Sequence, residues 1–226
     1  MAENWATSDL HFGHDNIIDY CSRPFHHTFN EDMSLWETRV EEMNRILIEN
    51  WNETVAPDDN VWLLGDAAMG KLRLTVPLFQ KCHGNKFLLP GNHDACWHGA
   101  KKDHSKWLEL YETAGFTIVG NSVDDGNGII RMDDYFDGKR VDACHFPFSG
   151  DSGNHDDRYL TWRPDDRGQF LLHGHTHSPE RVNPNNPRAI HVGTDAWDYR
   201  PVNFSVLHEL MEQAARCIPR MKLSRS

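Results

Sequence analysis

The sequence has no excess of positive charge. Its 226 residues contain 23 Lys and Arg against 34 Asp and Glu, which gives a formal net charge of −11 with His neutral. Proteins that bind duplex DNA or anionic membranes without sequence preference need a basic face. The charge balance therefore argues against both, and we expect no long nucleic acid and no membrane among the partners. The excess of acidic residues suits a protein that binds cations.

Long apolar runs and paired cysteine motifs are also absent. No stretch approaches the roughly 18 apolar residues of a membrane span, and the first residues lack the features of a secretion signal. The five cysteines are scattered without a Cys-x-x-Cys motif, which argues against a zinc ribbon or a disulfide framework and suits a reducing compartment. We therefore expect a soluble, cytoplasmic protein.

Repeats, low-complexity tracts and Gly/Ser linkers are missing as well. We predict one domain over residues 1–226, with a frayed basic tail near 217–226. The oligomeric state is not indicated by any pattern.

Predicted helices and strands alternate in the first half, whereas strands follow one another in the second. Apolar residues at helical spacing predict a helix over 33–51, with a capping box formed by Ser34 and Glu37. The apolar run at 61–64 is typical of a strand covered on both faces. This order predicts an α/β fold, a four-layer sandwich of two mixed β-sheets flanked by helices.

Residues of metal-binding type stand beside predicted strands in five short motifs. The motifs are Asp9-x-His11, Gly65-Asp66, Gly91-Asn92-His93-Asp94, the lone His145, and Gly174-His175-x-His177. Ligands at the carboxyl ends of strands in an α/β sheet converge on one crevice. Oxygen and imidazole donors without a thiolate suit Mn, Fe, Zn, Ni or Co rather than a structural zinc site. Without His93 and Asp94 the set has seven members, too many for one ion and suited to two.

In this order the motifs resemble the calcineurin-like metallophosphoesterase superfamily. The resemblance runs from Asp9 to His177 and extends to residues 192–197. The opening TSDLHFGHDNII at 7–18, with SRPF at 22–25, is similar to a small subgroup found in bacteria and phages. One departure is the lone-His motif, which is Cys-His-Phe-Pro at 144–147 where the superfamily usually has Ser-His-Tyr-Pro.

The resemblance implies a centre of two divalent metal ions, with Mn expected and Fe, Zn, Ni or Co as alternatives. One ion would be held by Asp9, His11 and His177, the other by Asn92, His145 and His175, with Asp66 bridging both. His93 would not bind metal. It would act as the acid beside the leaving group or steady the transition state, oriented by Asp94.

Further residues are expected near the centre on weaker grounds. His14 and Arg23 are predicted to contact the substrate, Arg23 through its planar guanidinium, although each could equally be a surface residue. Asp195 is expected to support a metal ligand. The acidic loop at 151–166 is either a solvated surface loop or an element that shapes the substrate site.

The implied chemistry is hydrolysis of a phosphoester. Two cations can clamp the phosphoryl oxygens and hold a water molecule for in-line attack. The acidic charge favours a small substrate, so we predict a phosphodiester of a small nucleotide, 2′,3′-cyclic or another cyclic nucleotide. Alternatives are a phosphomonoesterase of the same fold, a non-catalytic metal-binding scaffold, and a nuclease subunit that would need a basic face.

Overall fold

The structure is a computed structural model that describes residues 2–30, 35–100, 103–122, 124, 126–151 and 156–217. The helices within these ranges are α1 (Asp15–Tyr20), α2 (Arg39–Thr54), α3 (Leu72–Thr75), α4 (Ser105–Thr113) and α5 (Phe204–Cys217). The strands are β1 (Asn4–Thr7), β2 (Thr28–Asn30), β3 (Leu35–Glu37), β4 (Asn60–Leu63), β5 (Asn85–Leu88), β6 (Phe116–Ile118), β7 (Ile129–Arg131), β8 (Val141–Cys144), β9 (Phe170–His173), β10 (Val182–Asn183), β11 (Asn186–His191) and β12 (Val202–Asn203).

Two five-stranded mixed sheets form the body of the fold. The first has the order β12-β1-β4-β5-β6, with β1, β4, β5 and β6 parallel and β12 antiparallel at one edge. The second has the order β10-β11-β9-β8-β7, with parallel central strands and antiparallel edge strands. Strands β2 and β3 pair separately. The predicted fold, two mixed sheets flanked by helices, is confirmed.

Strand β4 shows why its run of residues is wholly apolar. Val61 and Leu63 belong to the core under helices α1, α2 and α4, whereas Trp62 and the following Leu64 pack in the core between the sheets. Alternate side chains of a strand point to opposite faces, so both faces of β4 are covered.

The outer face of the second sheet is covered by aromatic side chains from loops. Cys144 and Leu171 form a buried cluster with Trp97 and Phe146, against which Trp162 packs. Trp162 lies in a 3₁₀ turn, Leu160–Trp162. The loop after β8 is therefore partly a packed layer, which corrects the interpretation of residues 151–166 as a solvated loop; residues 152–155 lie outside the described part.

The start of helix α2 differs from the prediction. Residues 35–37 form β3, and the helix begins after Thr38, whose hydroxyl accepts a hydrogen bond from the N–H of Glu41 while the Glu41 carboxylate accepts one from the N–H of Thr38. The Ser/Thr-x-x-Glu pattern begins at Ser34 and again at Thr38, and the prediction chose the wrong one. Ser34 itself, like residues 218–226 of the predicted tail, lies outside the described residues.

Two further observations concern membrane-spanning helices and disulfide bonds. Among the described residues, no helix has both the length and the apolar character needed to cross a membrane. Cys21, Cys82, Cys96 and Cys144 are free thiols.

Candidate metal centre

All five motifs lie at the carboxyl ends of strands, and the fold brings these ends together. Strands β1, β4 and β5 of the first sheet and β8 and β9 of the second each run directly into one motif. Hydrogen bonds join the two sheets here: the N–H of His175 donates to the Asp9 carboxylate at 3.0 Å. His145 Nδ1 lies 2.8 Å from the carbonyl oxygen of Leu64.

The backbone at these strand ends is held in a conformation that most residues avoid. Positive φ angles occur at Asp9 (59°), His11 (54°), Asp66 (55°), His175 (70°) and His177 (51°). Non-glycine residues rarely adopt such angles, and the strain persists only where the surroundings enforce it. Five of the seven predicted ligands are therefore in strained backbone, which is characteristic of functional sites.

Gly65 shows how closely the loops approach one another. A Cβ atom at this position would lie 2.5 Å from the backbone nitrogen of Gly91 and 2.6 Å from Nδ1 of His145, at a φ of +87°. No larger residue fits there without displacing the loop that carries Asn92 or the ring of His145.

Two buried carboxylates at the centre lack a permanent positive partner. Asp9 and Asp66 are 0% and 1% exposed, and within the described part of the chain neither side chain pairs with Lys or Arg. Unpaired buried carboxylates are costly unless a cation or hydrogen bonds compensate them. The donor set of carboxylates, imidazoles and an amide, with no thiolate among the seven, fits divalent transition metals.

Asp66 lies between two groups of donors. Its Oδ2 atom is 3.6 Å from Nε2 of His11 and 3.5 Å from Nε2 of His145. Candidate ligand atoms of Asp9, His11 and His177 lie within 4.8 Å of one another, and so do those of Asp9, Asp66 and His145. A carboxylate between two donor groups is suitably located to bridge two ions.

The imidazoles of the first group face each other across a short gap. Nε2 of His11 is 3.3 Å from Nε2 of His177, and Nδ1 of His177 is 3.1 Å from the Asp195 carboxylate. Asp195 thus fixes the ring of His177 and leaves Nε2 towards the centre, the arrangement that carboxylates give to metal-binding histidines. Cys21 also lies near His177 and Asp195, within 4.8 Å.

The second group combines His145, Asn92 and His175. Because Nδ1 of His145 is directed to the Leu64 carbonyl, its Nε2 is free to act as an acceptor and lies 3.1 Å from Oδ1 of Asn92. The ring of His175 lies 5.2 Å from that of His145. Nε2 of His175 contacts the buried carboxylate of Asp151 at 3.0 Å.

Burial and neighbouring charge set the protonation of the imidazoles. Burial, reinforced by His177, lowers the pKa of His11 well below its ordinary value. Burial and His145 lower the pKa of His175 to about 3. Burial also acts to lower the pKa of His177, but Asp9 and Asp195 outweigh it and raise this pKa well above the usual value. Asp9 and Asp195 therefore favour positive charge on the ring of His177.

His93 is exposed at the rim of the centre. Its ring lies 5.4 Å from that of His11, and its N–H donates to Oδ1 of Asp66 at 2.8 Å. Asp94 does not orient this ring: its carboxylate accepts hydrogen bonds from the N–H groups of Asp66, Ala67 and Gly91. Burial and the nearby Asp66 raise the pKa of Asp94 to about 7. Asp94 therefore fixes the loops after β4 and β5, which corrects its predicted role.

Arg23 is buried and does not face a substrate. Its guanidinium forms two hydrogen bonds with the Asp195 carboxylate, at 2.8 and 2.9 Å, and also donates to the carbonyl oxygens of Asp9 and Leu10. With these partners it orients Asp195 and thereby His177, so the prediction of phosphate binding is corrected.

His14 lies beside the centre, and its predicted contact with the substrate stays a prediction. Its ring is 5.5 Å from that of His11 and 6.3 Å from that of Tyr20. Tyr20, in α1, was not singled out from the sequence and is 74% exposed. Asp151 was also missed as an individual residue, because nothing in the sequence distinguishes it from the other acids of its loop.

Comparisons with known proteins place the chain in a family. It is 34% identical to the gene 66 protein of Mycobacterium phage L5 over 204 residues, which cover 87% of this chain and 88% of that protein. The gene 66 protein of Mycobacterium phage D29 is 35% identical over 204 residues, covering 87% and 90%. This chain belongs to the gene 66 protein family.

A more distant sequence similarity of this gene 66 family member is to a protein from an archaeon. An uncharacterized protein of Methanocaldococcus jannaschii is 27% identical over 220 residues, 94% of this chain and 93% of that one. No protein-family model matches the chain.

Among solved structures, a protein of unknown function from Aquifex aeolicus has the same fold, with a TM-score of 0.58 and 20% identity over 93% of this chain and all of that one. A phosphopantetheinyl hydrolase from Mycobacterium tuberculosis gives a TM-score of 0.30 at 12% identity, over 88% of this chain and 79% of that one. A similarity that low says nothing about function.

Proposed function

We propose that this protein is a metallophosphoesterase of the calcineurin-like type that uses two divalent metal ions, Mn²⁺ first among them. The proposal is carried by one observation: Asp66, buried and without a Lys or Arg partner among the described residues, lies between two groups of nitrogen and oxygen donors. Asp9, His11 and His177 would hold one ion, and Asn92, His145 and His175 the other. Asp66 would contact both.

The residues around these donors support the same chemistry. When bound, two divalent ions neutralise the charge of a phosphoryl group and make a water molecule reactive at neutral pH. Arg23 and Asp195 hold His177 in place, while the Leu64 carbonyl does so for His145. His93, exposed beside His11, is free to give a proton to the leaving oxygen.

A phosphodiester of a small nucleotide, 2′,3′-cyclic or another cyclic nucleotide, is the substrate that we propose. His14 and the exposed ring of Tyr20 form an aromatic surface next to His11, and aromatic side chains of this kind stack on nucleobases. The net charge of −11 disfavours a long polyanion.

The proposal is tested by substrate choice under metal control. Protein stripped with chelator and reconstituted with Mn²⁺ is offered 2′,3′-cyclic AMP, 3′,5′-cyclic AMP, bis(p-nitrophenyl) phosphate, p-nitrophenyl phosphate and a duplex DNA fragment. We expect hydrolysis of the cyclic nucleotides and the diester, dependent on Mn²⁺ and lost in the Asp66→Ala variant.

The other outcomes identify the alternatives. Preference for p-nitrophenyl phosphate would make the protein a phosphomonoesterase. Binding of metal without turnover of any substrate would make it a scaffold. Rapid cleavage of duplex DNA that falls steeply with added salt would make it a nuclease.

A further inference from the structure

We propose that Asp151 is a positioning residue for the second metal ion, acting through the ring of His175. The inference rests on the metal centre of the proposed function and extends it to the loop that follows β8. That loop would then help to position a metal ligand, in addition to packing against the second sheet.

The contact between the two side chains is close and fully enclosed. Oδ1 of Asp151 lies 3.0 Å from Nε2 of His175, and the side chains are 0% and 3% exposed. A hydrogen bond in such surroundings has no competition from water. It fixes both the rotation of the imidazole and the ring nitrogen that carries the proton.

The consequence for His175 follows from its tautomer. A carboxylate only accepts hydrogen bonds, so the neutral ring carries its proton on Nε2 towards Asp151. Nδ1 is then the ring nitrogen with a free lone pair, and it is the atom we assign to the metal ion. Two other imidazoles also have an acceptor outside the centre, but it contacts Nδ1 and leaves Nε2 for the metal ion. These are His145, at the Leu64 carbonyl, and His177, at the Asp195 carboxylate. In each of the three rings, one nitrogen contacts an acceptor outside the centre and the other is left for the metal ion.

Asp151 is itself held firmly, which a positioning role requires. Nη2 of Arg163 lies 3.1 Å from its Oδ2, and the N–H of Arg158 donates to Oδ2 at 3.0 Å. Arg163 is buried and also donates to the carbonyl oxygens of Pro147, Gly150 and Arg158. The carboxylate therefore cannot turn away from His175 without disrupting this network.

The test is metal binding measured without substrate. Metal-free wild type, Asp151→Ala and Asp151→Asn are titrated with Mn²⁺ by calorimetry. Asp157→Asn is the matched control, because the Asp157 carboxylate accepts a hydrogen bond from Gly150 in the same segment and does not contact His175. We expect one of the two ions in Asp151→Ala to lose about 10–100-fold in affinity, with a smaller loss in Asp151→Asn. The affinity of the other ion in this variant, and the affinities of both ions in the control, should stay close to those of wild type.

Four results would overturn the inference. Asp151 variants that bind both ions as tightly as wild type would exclude the positioning role. Equal weakening of both ions, or the same loss in Asp157→Asn, would show that the segment only supports folding, and thermal unfolding of each variant would register that damage. If the wild-type protein bound fewer than two ions, the two-metal centre on which the inference rests would be excluded. By contrast, wild type that binds two ions but hydrolyses no phosphoester contradicts the proposed function and leaves the role of Asp151 intact.

Discussion

Asp66 is in contact with both groups of donors, and its replacement should affect both ions. Its Oδ2 is almost equally distant from His11 and His145. We therefore expect Asp66→Ala to lose both metal ions or bind them very weakly, whereas Asp9→Ala should weaken mainly one. Metal content per chain after gel filtration, measured by plasma mass spectrometry, checks the difference. Two full equivalents in the Asp66→Ala protein would contradict the bridging role.

His93 allows chemistry to be separated from metal binding. Its ring is exposed, and its contact with the centre is through its backbone N–H to Asp66, so His93→Ala should keep both ions and the stability of the fold. If the ring protonates the leaving oxygen, turnover of a nucleotide diester should fall by about 10²–10⁴-fold. Nitrophenyl esters should lose less, because nitrophenolate leaves without a proton.

Two results for the His93→Ala variant would count against this role. Loss of one metal equivalent would make His93 a ligand. Equal slowing of nucleotide and nitrophenyl substrates would point to stabilisation of transition-state charge instead of proton donation.

At the scale of single residues, the role of a side chain was predictable from the sequence where few roles suit that residue type. Asp9, His11 and the later motif residues are metal-binding types directly after apolar strands, and the fold brings them together. Arg23 could not be assigned in the same way, because a guanidinium serves equally well on a phosphate or on a buried carboxylate. Its partner, Asp195, is 172 positions away, so only the folded chain decides between the two.

At the element scale, helix α2 depends on the cap at Thr38. The hydroxyl of Thr38 and the carboxylate of Glu41 satisfy backbone N–H groups that the first turn leaves free. Thr38→Ala should lower the free energy of unfolding by about 0.5–2 kcal/mol, as measured by urea denaturation. Thr38→Ser, which can keep the bond, is the control and should stay close to wild type. Equal stability of all three proteins would show that tertiary packing alone fixes the start of α2.

The apolar strands were predictable because burial on one or both faces leaves a periodic pattern. Strand β4 agrees with the strand predicted at 61–64 to within one residue at each end. Helix α1, the β2–β3 pair and strand β10 were not predicted. They are six residues long or shorter, too short to show a period, and loops and turns around them decide their form.

At the scale of the whole molecule, the candidate metal centre lies between the two sheets. Asp9 and Asp66 come from the first sheet, and His145, His175 and His177 come from the second. In a chain with a net charge of −11, two buried carboxylates at this junction repel each other as well as losing hydration. Cations bound there would relieve both costs and connect the sheets.

Metal removal should therefore destabilise the whole fold rather than one loop. A ligand that binds only the native state at 100 times its Kd adds about 2.7 kcal/mol of stability, which for a chain of this size is roughly 5–11 °C in Tm for each ion. We expect Mn²⁺ to raise and chelator to lower the Tm of the wild type in differential scanning fluorimetry. The Asp66→Ala protein should respond to neither, since it lacks the residue that both ions share. A wild-type Tm that is indifferent to Mn²⁺ and to chelator would mean that the native state binds no metal at this junction.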